Sequence, residues 1–472
     1  VNNRAVNNRA ANDRVNDKAV GVLVPTGMIG AGFAPDTVER GLALGADVIA
    51  VDGGSTDSGP YYLGSGIPKT STASVARDMR LLLRAAAKAR IPLIVGSCGT
   101  SGADSGVDWL ADITAGILAE DRLDLTVATI YSEQDPAYLR RRLAEQAIHP
   151  LPPLGPLDSA TLGSCVRVVG MMGHEPIEEA LRAGADVVLA GRATDTAVAA
   201  AFALMEGLPP GPVWHAAKIV ECGGQCTTNP RSGGVFARID QSGFTIEPLD
   251  PAASCTPRSV AAHMLYETAN PFRMREPAGT LDVSRATYRE VDHRIVRVEG
   301  SVFEPAEQHT IKLEGARLSC YETMSFTAIR DPHILAGIED WALLLEKVLA
   351  ERVHQTLALG EGDYEFDVRL YGHNAILEDL DPATTPAREV GVMLLVHAAD
   401  QATATAVAKI ANPLMLHLPT ADMPYLPSLA FPTSPAETER GPVYEFALNH
   451  VVDSETPTTM FRTEFRKARV NA

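Results

Sequence analysis

One segment of this chain occurs twice, and no other feature constrains its fold as strongly. Gly27-Met28-Ile29-Gly30 leads through Val38-Glu39-Arg40-Gly41-Leu42 to Gly45-Ala46-Asp47-Val48-Ile49 and then Ser55-Thr56-Asp57-Ser58. Gly170-Met171-Met172-Gly173 leads through Ile177-Glu178-Glu179-Ala180-Leu181 to Gly184-Ala185-Asp186-Val187-Val188 and then Ala193-Thr194-Asp195-Thr196. The first copy has four more residues before its helix and one more before Thr-Asp. Three matched words in one order describe two copies of a strand-loop-helix-strand unit. Such units build parallel α/β sheets, which keep their ligands outside the carboxyl ends of the strands.

The rest of the first half keeps the same alternation. Short apolar runs at 19–24, 47–51, 91–95, 125–130, 166–169 and 186–190 read as strands buried on both faces. Helical patterns lie between them, from about Asp36, at 74–90, 107–120, 136–146 and 176–183. The expected fold class is α/β, a mostly parallel sheet with helices on both faces built from the repeated β-loop-α-β unit, followed by α+β regions. The expected domains are a disordered leader at 1–18, a parallel α/β domain at 19–230, an α+β region at 231–360 and a small α+β region at 361–472. The leader repeats Val-Asn-Asn-Arg-Ala and has no apolar core, so it is not a secretory signal.

Bulk composition narrows the function. At 472 residues the chain exceeds one ordinary core. A net charge of -18 argues against a nucleic-acid partner, because phosphate backbones demand a basic surface. Six scattered cysteines fit reduced thiols in the cytoplasm better than a disulfide framework. No apolar run reaches the roughly 18 residues of a membrane helix.

The strand-end rule selects the loops at 26–33, 52–66, 96–106, 131–135, 170–175 and 191–196. They are rich in glycine, hydroxyls and acids. Gly27, Gly30 and Gly32 form Gly-x-x-Gly-x-Gly, which differs from the dinucleotide spacing, but their amides could approach an anion. No P-loop motif is present. Asp52-Gly53-Gly54-Ser55-Thr56-Asp57-Ser58-Gly59 supplies two carboxylates and three hydroxyls beyond a buried strand. Its counterpart, Gly191-Arg192-Ala193-Thr194-Asp195-Thr196, adds a guanidinium suited to a carboxylate or phosphate. The candidate acids and bases are therefore Asp57, Asp195, Glu133 and Asp52. Arg192, Gly27, Gly30, Ser55, Thr56, Ser97, Gly99, Thr194 and Lys69 are the candidate substrate-binding residues. Helix capping is the competing role for Asp57 and Asp195. Cys222 and Cys226 lack the Cys-x-x-Cys spacing of a zinc knuckle, so no metal is expected.

Several of these words are long enough to be specific. Asp52-Gly53-Gly54-Ser55-Thr56-Asp57-Ser58-Gly59-Pro60-Tyr61-Tyr62-Leu63-Gly64, Ala190-Gly191-Arg192-Ala193-Thr194-Asp195-Thr196, Trp214-His215-Ala216-Ala217-Lys218-Ile219 and Gly441-Pro442-Val443-Tyr444-Glu445-Phe446 resemble the acyclic terpene utilisation family. The resemblance implies a role in catabolism beside enzymes of acyl-CoA esters, and a separate partner protein of about one hundred residues. It carries over no catalytic residue. The resulting expectation is a cytoplasmic catabolic enzyme, homo-oligomeric, performing lyase- or hydratase-type acid-base chemistry on a small carboxylate or acyl-CoA. No cofactor is expected; CoA enters only as part of the substrate. The alternative is a non-catalytic subunit that binds a metabolite or partner and supports a neighbouring enzyme.

Overall fold

A computed structural model describes residues 18–231, 233–377, 380 and 387–467, so the expected leader lies outside the described residues up to position 17. Two compact units divide the chain: Val1–Arg317 with Phe446–Ala472, and Leu318–Glu445. The segment 231–317 joins the first unit because its strands extend the main sheet, and the helix Ile338–Leu357 belongs to the second.

The first unit contains strands β1 (Val20–Val24), β2 (Val48–Asp52), β3 (Leu93–Gly96), β4 (Thr126–Tyr131), β5 (Ile148–Pro150), β6 (Cys165–Met171), β7 (Val187–Ala190), β8 (Val235–Ile239) and β9 (Gly243–Pro248). Then follow β10 (Arg273–Glu276), β11 (Gly279–Asp282), β12 (Thr287–Asp292), β13 (Ile295–Glu299) and β14 (Val302–Pro305). Strand β15 (Thr310–Ile329) contributes its first residues here and the remainder to the second unit. The second unit adds β16 (Tyr364–Tyr371) and β17 (Val390–Ala398). The chain re-enters the first unit along β18 (Glu437–Asp453) and ends in β19 (Arg462–Lys467).

The main sheet has ten strands in the order β12-β13-β9-β8-β1-β2-β3-β7-β4-β19. Its centre, β1-β2-β3-β7-β4, is parallel, as the alternating strands and helices imply. The outer pairs are antiparallel. Successive residues of the central strands point to opposite faces, as the pleat requires. Leu23, Ile49, Val51, Leu93, Val95, Val187 and Leu189 pack with the helices Thr72–Ala89 and Asp104–Asp121. Val22, Val48, Ala50, Ile94, Val188 and Ala190 pack with Asp195–Met205 and Pro210–Val220. The sheet is thus covered on both sides, and the expected α/β class stands.

One part of the repeat folds differently in its second copy. Helix, turn and second strand do recur: Gly45 and Gly184 both end their helices at positive φ (+86° and +93°), the region that a Cβ disfavours. Ala46 N and Ala185 N then bond back to Gly41 O and Ala180 O. The two aspartates also match, since Asp47 Oδ2 accepts from Gly21 N and Asp186 Oδ2 accepts from Thr126 N, each at 2.7 Å. The first strand does not recur. β1 lies beside β2, but β6 pairs antiparallel with Lys312–Arg317, and β4 takes the place beside β7. Strand β6 rejoins the unit only at its end, where Met172 N bonds Arg192 O much as Ile29 N bonds Asp52 O.

In the second unit, β17 pairs with β16 on one side and with Tyr321–Ile329 of β15 on the other. Val390, Val392, Leu394, Val396 and Ala398 are buried at alternate positions, against Trp341, Leu345 and Leu349 of Ile338–Leu357 and Val407 and Ala411 of Gln401–His417. This is an antiparallel sheet with helices on one face, in a unit that runs from Leu318 to Glu445, whereas the sequence predicts a small α+β region at 361–472.

Candidate active site

The ends of β1, β2 and β7 open on one cavity of about 420 Å³. Thr26, Gly27 and Met28 follow β1, Asp52 ends β2, and Gly54, Ser55 and Ser58 follow it. Asp195 begins the helix after β7. The facing wall comes from Cys222, Gln225 and Arg231 and from Tyr266 and Glu267. The two walls meet closely through backbone: a Cβ on Gly27 would stand 2.8 Å from Cys222 O, and one on Gly223 (φ +58°) would stand 2.7 Å from Gly27 N. A side chain at either position would push the cavity open.

Two carboxyls dominate its chemistry. Asp52 is 9% exposed; its Oδ2 accepts from Gly54 N at 3.2 Å, while its Oδ1 is buried with no hydrogen-bond partner. Burial holds its pKa well above the ordinary carboxylate range, and Asp195 adds to the effect against the weaker pull of Arg192. Asp195 is also raised, first by burial, but Arg192 at 3.5 Å opposes that rise. Its place in the first turn of a helix also favours the anion. The capping role falls to Thr194, whose Oγ1 accepts from Ala197 N at 3.2 Å, leaving the Asp195 carboxylate to face the cavity. In the first copy the cap is Ser55, which accepts from Asp57 N and donates to Asp57 Oδ2.

Arg192 does not line the cavity. Its buried guanidinium donates to Glu314 Oε2 (2.9 Å), Ser97 Oγ (3.2 Å), Ala193 O (3.0 Å) and Asp195 Oδ1 (3.5 Å). A charge this deep needs such partners, so the group expected to anchor a substrate anion is spent on the protein's own carboxylates. Burial also opposes ionisation of Glu314, but Arg192 and Lys312 pull its pKa down to about 2. Thr56 Oγ1 donates to the same carboxylate at 3.0 Å, so Glu314 fastens the loops of the two copies together. Thr56 and Asp57 face a second cavity of about 340 Å³, beside Lys312 and Glu314.

The other expected residues spread outward. The amides of Gly30 and Gly32 are bonded to Asp78 Oδ2 (2.8 and 3.1 Å), a fully buried carboxylate that occupies the anion position of the glycine loop. Glu133 Oε1 accepts from Asp104 N at 3.0 Å, and Asp104 Oδ1 accepts from Glu133 N, so Glu133 caps a helix away from the cavity. Ser97 (φ +42°) and Gly99 (φ +70°) belong to a tight turn after β3, and Ser97 supports Arg192 from behind. Thr194 Oγ1 also donates to Glu276, which burial raises to about 7. Lys69 reaches the rim by donating to Ser58 Oγ at 3.0 Å. Of the expected residues, Asp52, Asp195, Gly27 and Ser55 line the cavity.

Sequence reasoning missed Arg231, in an irregular segment, and Tyr266 and Glu267, which lie in the turns just past the helix Pro257–His263. Arg231 is the single basic side chain among the described lining residues. It also missed His263, the last residue of the helix Pro257–His263. Among the described residues, Glu221, Cys222 and His263 form the one group whose potential metal-ligand atoms lie within 4.8 Å of one another. Lys218 Nζ donates to Glu221 Oε1 beside them. No helix among the described residues is long and apolar enough to cross a membrane.

A search of curated proteins and a search of solved structures gave no match. A family model does match, over residues 70–430, which is more than half of the chain; the protein belongs to the family described as acyclic terpene utilisation family protein AtuA.

Proposed function

We propose that this protein is a catabolic enzyme performing acid-base chemistry, of lyase or hydratase type, on a small carboxylate or acyl-CoA substrate bound at the strand ends. The observation that carries this reading is the pairing of Asp52 and Asp195 on one cavity, both raised by burial, with Arg192 at 3.5 Å opposing that rise at Asp195. Asp52, deeply buried and with a free Oδ1, is the general acid. Asp195, held by Arg192 at 3.5 Å and by the helix N-terminus, is the general base. Arg231 replaces Arg192 as the anchor of the anionic end, with Ser55 and the open backbone of Gly27 beside the reacting carbon. Membership in the acyclic terpene utilisation family supports a substrate from catabolism. Six unpaired thiols support a cytoplasmic setting, and the reading retains a homo-oligomer with a separate small partner protein.

The test is turnover of a panel of hydroxy acids and acyl-CoA esters, with the purified protein alone and with its small partner. Asp52→Asn and Asp195→Asn should each lower kcat by roughly 10²–10⁴-fold on the substrate found, as loss of a general acid or base does. No turnover of any panel member, or undiminished turnover by both variants, would sink the proposal.

A further inference from the structure

The wall opposite Asp52 holds a second constellation that acid-base chemistry leaves unused. Glu221 and Cys222 continue the helix Pro210–Val220 past its carboxyl end, and His263 closes the helix Pro257–His263. His263 is 5% exposed, yet its Nε2 is buried without a hydrogen-bond partner. A buried imidazole nitrogen left bare is unfavourable unless something fills the position. A backbone oxygen, that of Lys218, lies beside the ring; metal-binding histidines commonly have such an oxygen near their second nitrogen.

Charge and spacing agree with this. A neutral imidazole offers its lone pair to a metal, and Cys222 binds as the thiolate once its proton leaves. Lys218 opposes a cation here. However, it engages Glu221 through Oε1, and a carboxylate can hold an ammonium with one oxygen and a metal with the other. Asp195, Glu267 and Glu276 restore an acidic surrounding. Donors on one ion at bond lengths of about 2.0–2.3 Å stand roughly 3.5 Å apart, so the group closes by a movement of roughly an ångström.

We infer that Glu221, Cys222 and His263 form a three-ligand site for a divalent transition metal, zinc-like in its preference for sulfur, nitrogen and oxygen, with its fourth position open to the active-site cavity. Three protein ligands with one open position are the pattern of a catalytic rather than a structural zinc. Binding releases the Cys222 proton to solvent and leaves a metal–thiolate bond. The open position would polarise a substrate oxygen across the cavity from Asp195. That last role rests on the proposed function; the site itself does not.

The test is a titration of the full-length, metal-stripped protein with Co²⁺, followed by absorption spectroscopy, together with elemental analysis of the protein as purified. One equivalent should bind, with an intense near-ultraviolet band from thiolate-to-cobalt charge transfer. C222S should lose that band, and H263N should weaken binding at least about tenfold. Circular dichroism melts check that both variants fold, and H263Q serves should H263N unfold. Absence of saturable binding at one equivalent, or a cobalt spectrum unchanged in C222S, overturns the site. Cobalt binding without turnover of any substrate leaves the metal site standing and removes the acid-base proposal. Full turnover after metal removal, still lost in Asp52→Asn, removes only the metal's role.

Discussion

The two copies of the repeated segment share a helix, a positive-φ glycine and an aspartate that clamps the neighbouring strand, but they differ in which strand that is. In the first copy, β1 and β2 are parallel neighbours; in the second, β4 occupies that place and β6 pairs elsewhere. Both copies supply the cavity from around the end of their second strand, but from different positions: Asp52 ends β2, whereas Asp195 is the counterpart of Asp57, which faces the second cavity. Duplication therefore conserved a scaffold, and the two carboxyls of the cavity are not its twin positions. They also differ chemically: Asp52 is buried with one oxygen unpartnered, while Asp195 is held by a guanidinium.

The largest expected effect tests that division of labour. If Asp195 is the base and Asp52 the acid, kcat should follow a bell in pH, and Asp195→Asn should remove its acidic limb while Asp52→Asn removes its basic limb. Stability gives a second view of Asp52. Its folded pKa lies above the unfolded value, so the native state keeps a proton that the unfolded chain has released. Stability from this group is present below the unfolded pKa and falls as pH rises toward the folded one. Thermal melts across that range should show Asp52→Asn gaining on the parent as pH rises.

Next comes the Glu314 clasp between the copies. Arg192→Met should destabilise by about 3–5 kcal/mol in denaturant unfolding, because Glu314 is left buried with only Lys312 for charge. Glu314 has a depressed pKa, so its contribution is present above the ordinary glutamate range and lost as pH falls toward 2; Glu314→Gln should lose that acid dependence. A smaller effect compares the clamps: Asp47→Ala should cost about 1–2 kcal/mol, and Asp186→Ala less, because its bond to Thr126 N is solvent-exposed. The smallest compares the glycines. Gly184→Ala meets no atom within 4 Å, so only the backbone penalty of about 1 kcal/mol applies, and Gly45→Ala should match it once Arg238 moves aside. Unequal losses would mean that the two helix ends are not the same device.

The central strands were legible because buried apolar runs between amphipathic helices have few other places to go. The displacement of β6 was not, since its partner, Lys312–Arg317, lies far along the chain and local pattern carries no register across such distance. Strand β19 also escaped notice: Arg462-Thr463-Glu464-Phe465-Arg466-Lys467 is mostly charged, as an edge strand tends to be. For the site, the strand-end rule found Asp52 and Asp195 because both are fixed by the sheet. It misplaced Arg192 because a guanidinium's partner is decided by tertiary packing, here Glu314. The facing wall was missed because Arg231 lies in an irregular segment, and the helix Pro257–His263 ahead of Tyr266 shows no strand end that the rule could select.

The carboxylate of Asp78 has a further consequence. Two amides of the glycine loop already hold an acid grafted onto a neighbouring helix, which Arg77 grips from the other side. The loop is thus a lock whose key is built in: its shape does not wait for a ligand, and soluble phosphate would have to displace Asp78. A plugged loop and an anion receptor here differ by one side chain, so this scaffold stands a single substitution from a recognition chemistry that it does not now use.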